Sequence, residues 1–359
     1  MSVPIQAIPY LRLFKRLFLG QSSLGNVAFR QDVLFPEETA TLRPAIYLPG
    51  QMEKVIDYRP TDTISITTKE TEVRAATSTN VTYAPTIAYH IKNAVLFDGC
   101  IYVGRFKHPI SDRSLFKGNG AREPSYIKSC GLASTYLGTK YFGHWLLDDC
   151  TKYLLAEEFG APLSLRMPAY GHLQQYQTYF SQNWACIDRA YIDHLVVFQD
   201  FSQSSFKRKR YEILRKRLQF HFPERAPSTF VYLKRGNTGV ARTIENENEI
   251  VDSLTKRGFL IADVATDGLD KLIRTLSSAK IVVSLEGSHN DHCALVCPED
   301  SALLILQPAD RFAAFQRAWS ECLGMRYGFV VGDARSAGYY FSTSEILQTV
   351  DLLLARMDA

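Results

Sequence analysis

The chain has 359 residues, 46% of them hydrophobic and 22% charged, a composition that excludes disordered, collagen-like and disulfide-scaffold classes and a length that suits two domains. Its 41 basic and 37 acidic residues leave a net charge of +4, too little for a general nucleic-acid footprint. Seven cysteines with no CxxC pair read as reduced thiols of a cytoplasmic protein.

No stretch approaches the roughly 20 apolar residues that cross a bilayer. Residues 10–20, YLRLFKRLFLG, would put Leu13, Phe14 and Leu17 on one side of a helix and Arg12 and Arg16 elsewhere. That pattern fits an interfacial anchor as well as a first helix packed on its domain. From 42 to 110, β-branched and aromatic residues alternate between Pro, Gly and Asp breaks (IYLPG, TISITT, TYAPTIAYHI, NAVLFDGCIYV), predicting strands and turns. The polar run 112–124 reads as a loop. From Cys130 the pattern predicts a strand in GLASTYLG, a turn in TKYFG and a helix in HWLLDDCTKYLLAEEF, stopped by Gly160 and Pro162.

A Tyr/Gln-rich segment, a strand HLVVFQD and a basic helix ending near His221 follow. Residues 207–217, KRKRYEILRKR, hold seven basic side chains in eleven positions. They read as a solvated helix face or as a surface for anionic lipid or glycan, with no nucleic-acid module around them. PERAPS, 223–228, is the linker expected between a first lobe, 1–222, and a second, 223–335, with residues 336–359 a C-terminal helix packing back on the lobes. Within the second lobe, TFVYLKR, LIADVAT, IVVSLEG and ALLILQP alternate with helical segments. Near-continuous apolar strands in a repeated βα pattern predict a parallel sheet covered by helices.

In open parallel sheets ligands bind beyond the carboxyl ends of the strands, so the polar residues following each strand are the ones to inspect. After TFVYL come Lys234, Arg235, Gly236 and Asn237, then Arg242 before a helix starting near Glu245. Cations beside a helix N-terminus suit pyrophosphate. After IVVSL come Glu286, Gly287, Ser288, His289 and His292; glycine admits a close backbone approach and Ser288 would cap the helix. His289 and His292 lack the HExxH spacing of a metal-binding helix, so the site reads as metal-independent. In GHWLLDD, His144 and Asp148 lie one turn apart on one helical face. A histidine and a carboxylate together supply what deprotonates an acceptor hydroxyl.

At YFGHWLLDD (141–149), YLKR (232–235), RTIENE (242–247), the GF at 258 and IVVSLEGSHNDHCAL (281–295) the sequence resembles glycosyltransferase family 61, inverting enzymes that include bacterial polysaccharide transferases. The resemblance implies an α/β GT-B fold of two Rossmann-like lobes facing a central cleft, with a nucleotide-sugar donor on the C-terminal lobe. It implies transfer of a hexosyl or pentosyl unit from a UDP-sugar, with no cofactor and no metal, to a glycan or lipid-linked glycan in capsule, lipopolysaccharide or exopolysaccharide assembly. Asp148, oriented by His144, is the expected base. Lys234, Arg235, Arg242, Glu286, Gly287, Ser288, His289 and His292 form the expected donor site. Many eukaryotic family members have HGA where this chain has Glu286-Gly287-Ser288, so the role of that histidine does not carry over to Glu286, and His289 or His292 is the candidate to replace it. The expected setting is the cytoplasm, with peripheral membrane contact through 10–20 or 207–217 and no nucleic acid. A non-catalytic glycan- or nucleotide-binding protein on a degenerate transferase fold is the alternative.

Overall fold

The computed structural model describes residues 23–58, 67–104, 106–111, 123–168, 170–223, 225–236 and 242–358. The anchor expected at 10–20 and most of the loop expected at 112–124 lie outside these residues. Two compact units emerge. Unit 1 comprises Met1–Glu38, Tyr83–Ser202 and Lys209–Leu214; unit 2 comprises Thr39–Thr82, Gln203–Arg208 and Arg215–Ala359.

Unit 1 is built on a sheet of β1 (Arg30–Phe35), β2 (Thr86–Phe97), β3 (Cys100–Val103), β4 (Phe106–Pro109), β5 (Ser125–Gly131) and β6 (Arg189–Gln199). Its order is β4-β3-β2-β6-β5, with β1 also on β2. Only β5 and β6 run parallel; the other pairs are antiparallel. The Rossmann-like topology expected of a first lobe is therefore absent from the described residues of this unit. Hairpins such as β2-β3, turning at Asp98 and Gly99 with positive φ, do not need the crossover helices of a parallel sheet.

The helix expected at GHWLLDD forms, with an irregularity. Here termed α1, it runs through Phe142–His144, a π-helical turn at Trp145–Asp149, and Cys150–Ala156. A short 3₁₀ turn carries it to Phe159, and Gly160 (φ 121°) ends it. The strand before it is β5, which stops at Gly131, so most of GLASTYLG is loop and turn. Tyr153, Leu155 and Ala156 pack against Ala88, Val196 and Phe198 of the sheet.

The basic helix also forms, as α2 (Ser205–His221). Three of its seven cations are not solvated: Lys207, Arg210 and Arg215 are buried. Arg210 Nη2 donates to both Asp200 carboxylate oxygens at 2.7 Å, and Arg215 donates through Nε and Nη2 to the Ala294 carbonyl at 2.9 and 2.7 Å. Neither the solvated-face reading nor the anionic-surface reading accounts for these three.

Unit 2 shows the predicted alternation: β7 (Thr229–Lys234), α3 (Glu247–Lys256), β8 (Phe259–Asp263), α4 (Leu269–Leu276), β9 (Ala279–Leu285), α5 (Asp291–Val296), β10 (Ala302–Pro308), α6 (Phe315–Cys322), β11 (Arg326–Ala334), β12 (Tyr339–Tyr340) and α7 (Thr343–Met357). The sheet order is β8-β7-β9-β10-β11-β12, parallel except for β12. Its core joins Ile281, Val283, Leu304, Leu306 and Val330 to Ile250 and Leu254 of α3 and Ile346, Val350 and Leu353 of α7. The C-terminal helix thus packs on the sheet of this unit. Counting its parallel strands from β7, the order is 2-1-3-4-5, a doubly wound arrangement whose direction of winding reverses between β7 and β9.

The segment 39–82 is part of unit 2. Tyr47 stacks on Phe329 at 4.6 Å between ring centroids, and Glu72 accepts from the Ala314 amide at 2.8 Å. Glu72 lies on a helix, Lys69–Thr77, where strands and turns were expected; Thr68 caps it and Glu70 and Glu72 occupy its first turn, where acidic side chains complement the exposed N–H groups.

Candidate functional site

The switch point lies at the carboxyl ends of β7 and β9, and both sequence clusters of unit 2 arrive there. Arg235 follows β7 and Glu286 follows β9. Arg235 Nη1 donates to the Glu286 carbonyl at 3.0 Å, and Arg242 Nη1 donates to the same oxygen at 2.8 Å. Arg242 also meets the Glu286 carboxylate at 3.2 Å, with both side chains buried. The Glu286 amide is fixed in turn by the Leu306 carbonyl of β10 at 3.0 Å. Strand pairing therefore locates the oxygen that gathers two guanidinium groups.

A third guanidinium, missed in the sequence reading, completes the cluster: Arg311 Nε lies 3.6 Å from the Glu286 carboxylate. It follows β10, so inspecting the polar residues after ALLILQP would have found it. Beside it, Asp310 accepts from the Tyr339 hydroxyl at 2.9 Å. Burial raises the Glu286 pKa above the ordinary carboxylate range, against the pull of Arg242. Burial likewise lowers that of Arg311. Tyr58, from the 39–82 segment, donates its hydroxyl to the Phe312 carbonyl, and its pKa is raised by burial and then by Glu72.

The remaining expected donor residues divide. Gly287 adopts φ 150° and lies under the arginines: a Cβ there would fall 2.5 Å from Arg235 Nη1 and 3.0 Å from Arg242 Nη1. Ser288 is the first residue of a 3₁₀ turn, Ser288–Asn290, whose cap position is held by Gly287, and Asn290 holds that of α5, which corrects the capping role expected of Ser288. His289 is bonded through Nε2 to Ser284 Oγ at 2.8 Å. Burial, followed by Arg242 and His292, pushes its pKa down to about 3. His292 is buried within α5. Lys234 faces elsewhere, its amine 3.9 Å from Glu247. Glu247 and Glu249 occupy the first turn of α3 and already supply the negative charge that its N-terminus favours. Asn237 lies outside the described residues. Among the described residues no group of three His, Cys, Asp or Glu side chains is placed to hold a metal ion.

In unit 1, His144 Nδ1 bonds to Asp148 Oδ2 at 2.7 Å. The histidine side chain is 39% exposed and the aspartate 9%. A carboxylate accepts, so Nδ1 carries the proton and Nε2 has the free lone pair. Asp149, the next residue, is fully buried and serves the fold: its Oδ1 accepts from the Thr135 amide at 3.0 Å. The π-helical turn between them is a feature often found at functional sites.

The described fold is a mixed α/β protein with an arginine cluster around Glu286 at a doubly wound switch point and a His–Asp pair in unit 1. Residues 142–304 match the family model described as Glycosyltransferase 61, the family that the motifs of this segment resemble. The matched segment includes His144, Asp148, Arg235, Arg242 and the 286–292 loop. No curated protein matches the chain. Among solved structures, the metal-soaked flavodiiron core of Flv1 from Synechocystis sp. PCC6803 aligns at 10% identity and a TM-score of 0.25, over 75% of this chain. The chain spans 63% of the length of that protein. Among the described residues no helix is long and apolar enough to cross a membrane.

Proposed function

We propose that the protein is an inverting glycosyltransferase that moves a hexosyl or pentosyl unit from a nucleotide-sugar, UDP-linked, to a glycan or lipid-linked glycan. The observation that carries this reading is the pair of guanidiniums on the Glu286 carbonyl, inside the family segment. Fixed cations at a strand terminus are electrostatically prepared for the diphosphate that gains charge as the glycosidic bond breaks. No metal is needed for that neutralisation, and the protein's role is to hold Arg235, Arg242 and Arg311 in place before the substrate arrives.

Activation of the acceptor is assigned to His144. Exposure favours a division of labour converse to the one the sequence suggested: the accessible His144 Nε2 takes the acceptor hydroxyl proton, and the buried Asp148 orients the ring and stabilises the imidazolium. As the acceptor oxygen attacks the anomeric carbon from the face opposite the nucleotide, the bond to the diphosphate breaks and the configuration inverts. The setting we assign is cell-surface polysaccharide assembly at the cytoplasmic face of the membrane. The exposed Ile213 and Phe220 of α2, 43% and 87% accessible, support a peripheral contact.

A thermal-shift screen against UDP-, GDP-, CMP- and TDP-sugars tests the donor assignment, because a ligand that binds only the folded state raises its apparent stability. UDP-sugars should raise the midpoint, and Arg242→Ala should abolish the rise. The absence of any shift with all four classes would leave a glycan-binding protein as the better reading. Replacing His144 by Ala should lower the turnover number by about 10²–10⁴ without weakening the nucleotide response.

A further inference from the structure

His289 has a defined protonation pattern that its position at the arginine cluster makes consequential. Ser284 Oγ lies 2.8 Å from the Leu233 carbonyl oxygen and 2.8 Å from His289 Nε2. A hydroxyl has one proton, and a carbonyl oxygen can only accept. The serine proton therefore goes to Leu233, and the second contact requires a proton on His289 Nε2. That fixes the tautomer: Nδ1 carries the lone pair. Both Ser284 and Leu233 belong to paired central strands, so the arrangement is held by the sheet itself.

The lone pair is close to the arginines. The point where a Cβ on Gly287 would lie is 3.0 Å from His289 Nδ1, 2.5 Å from Arg235 Nη1 and 3.0 Å from Arg242 Nη1. Two cations and a neutral acceptor thus converge beside a residue with no side chain. The ring stays neutral there, because burial, Arg242 and His292 all oppose its protonation. A fully ionised phosphoryl oxygen satisfies guanidinium but has no proton for Nδ1, and two lone pairs repel. A hydroxyl donates to Nδ1 while its neighbouring phosphate engages the arginines.

Resting on the nucleotide-sugar reading above, we infer that His289 Nδ1 accepts a hydrogen bond from a sugar hydroxyl next to the diphosphate, and so serves as a specificity-determining residue of the donor site. The hydroxyl belongs to either the ribosyl or the transferred glycosyl ring. Such a contact selects a hydroxylated ring over a bare anion, a discrimination that the arginines alone do not supply.

Titration calorimetry on the full chain, with wild type, His289→Ala and Ser284→Ala, tests this with inorganic pyrophosphate, UDP and UDP-glucose, and with GDP and GDP-mannose as a second pair. Loss of one buried hydrogen bond is expected to weaken nucleotide-sugar affinity about tenfold in His289→Ala, and by a smaller factor in Ser284→Ala, which frees the tautomer. Pyrophosphate affinity should stay within about twofold of wild type. A loss shared by the nucleoside diphosphate places the hydroxyl on the ribose; a loss confined to the nucleotide-sugar places it on the transferred ring. Unchanged nucleotide-sugar affinity in both variants overturns the inference, as does a loss equally large for pyrophosphate. If wild type binds pyrophosphate but neither nucleotide-sugar, the donor reading itself fails and takes this inference with it.

Discussion

Gly287 shows how little latitude the site allows a single residue. Its φ of 150° lies in a region that L side chains rarely adopt, and a methyl group there would meet Arg235 Nη1 at 2.5 Å. The far end of an arginine can move, so Gly287→Ala should fold; the cost falls on the direction in which Arg235 and Arg242 point. Both are aimed by the Glu286 carbonyl just before the glycine. We expect Gly287→Ala to lower nucleotide affinity by about tenfold or more, since charge-assisted contacts depend on alignment, while the thermal midpoint of the unliganded protein changes little by comparison. Wild-type affinity in this variant would show that the arginines reach the ligand by another route. Glu286 presents the converse case. It is buried and ion-paired with Arg242, and removing one partner of a buried pair strands the other. Glu286→Ala should therefore lose both stability, by about 3–5 kcal/mol, and nucleotide binding, readable together in a denaturant titration with and without UDP.

At the scale of elements, α1 separates two adjacent carboxylates into different roles. Its π-helical turn holds Asp148 against the exposed His144, while Asp149 is turned to the Thr135 amide in the loop before the helix. Gly138 lies so close that a Cβ there would fall 2.0 Å from the Asp149 carboxylate, so the loop has closed on this side chain. Burial pushes the Asp149 pKa up to about 8 from an ordinary 3.8, against the pull of Lys152. The folded state thus keeps a proton that the unfolded chain has already lost. This contribution to stability is fully present below pH 3.8 and is lost as pH rises through about 8. Asp149→Asn keeps an acceptor for Thr135 and cannot ionise, so it should flatten this limb of the stability profile; an unaltered slope in urea midpoints between pH 6.5 and 8, above the histidine range, would count against the assignment. The sequence carried the helix and the His144–Asp148 spacing, because periodicity and a one-turn separation are local properties. It did not carry the inequality of Asp148 and Asp149, which depends on a loop folding back from Thr135 to Gly138. The same limit explains the helix Lys69–Thr77. KETEVRAAT buries only Ala76, so it has no apolar stripe to announce it, although its Thr68 cap and acidic first turn were legible.

For the whole molecule, the legible half is unit 2. Its strands are apolar on both faces, so each reads as a continuous hydrophobic run, and the polar residues after β7 and β9 include Arg235, Arg242 and Glu286, which the fold brings together. The half that was not legible is the sheet of unit 1, whose strands come together across long separations: Asp32 of β1, His90 of β2, His194 of β6 and Ser129 of β5 are linked side by side, with His90 bonded to Asp32 at 2.9 Å and to His194 at 2.9 Å, and His194 to Ser129 at 3.1 Å. These histidines give the molecule an acid limit. Burial, then Arg30, lowers the pKa of both His90 and His194, and burial lowers that of His108; in unit 2, His289 is held at about 3. A depressed histidine stabilises the fold above its unfolded value of 6.5 and loses that contribution as pH falls toward the folded value, because the unfolded chain then binds the extra proton. Asp149 acts in the opposite direction over its own range, so the two sets together place maximum stability near pH 6–7. Replacing His289 by Gln should extend stability toward acid and leave the decline between pH 6.5 and 8 in place, whereas Asp149→Asn should flatten that decline. Chemical denaturation from pH 4 to 9 would read both shifts; a His289→Gln variant that alters the decline above pH 6.5, or an Asp149→Asn variant that keeps it, would count against these assignments.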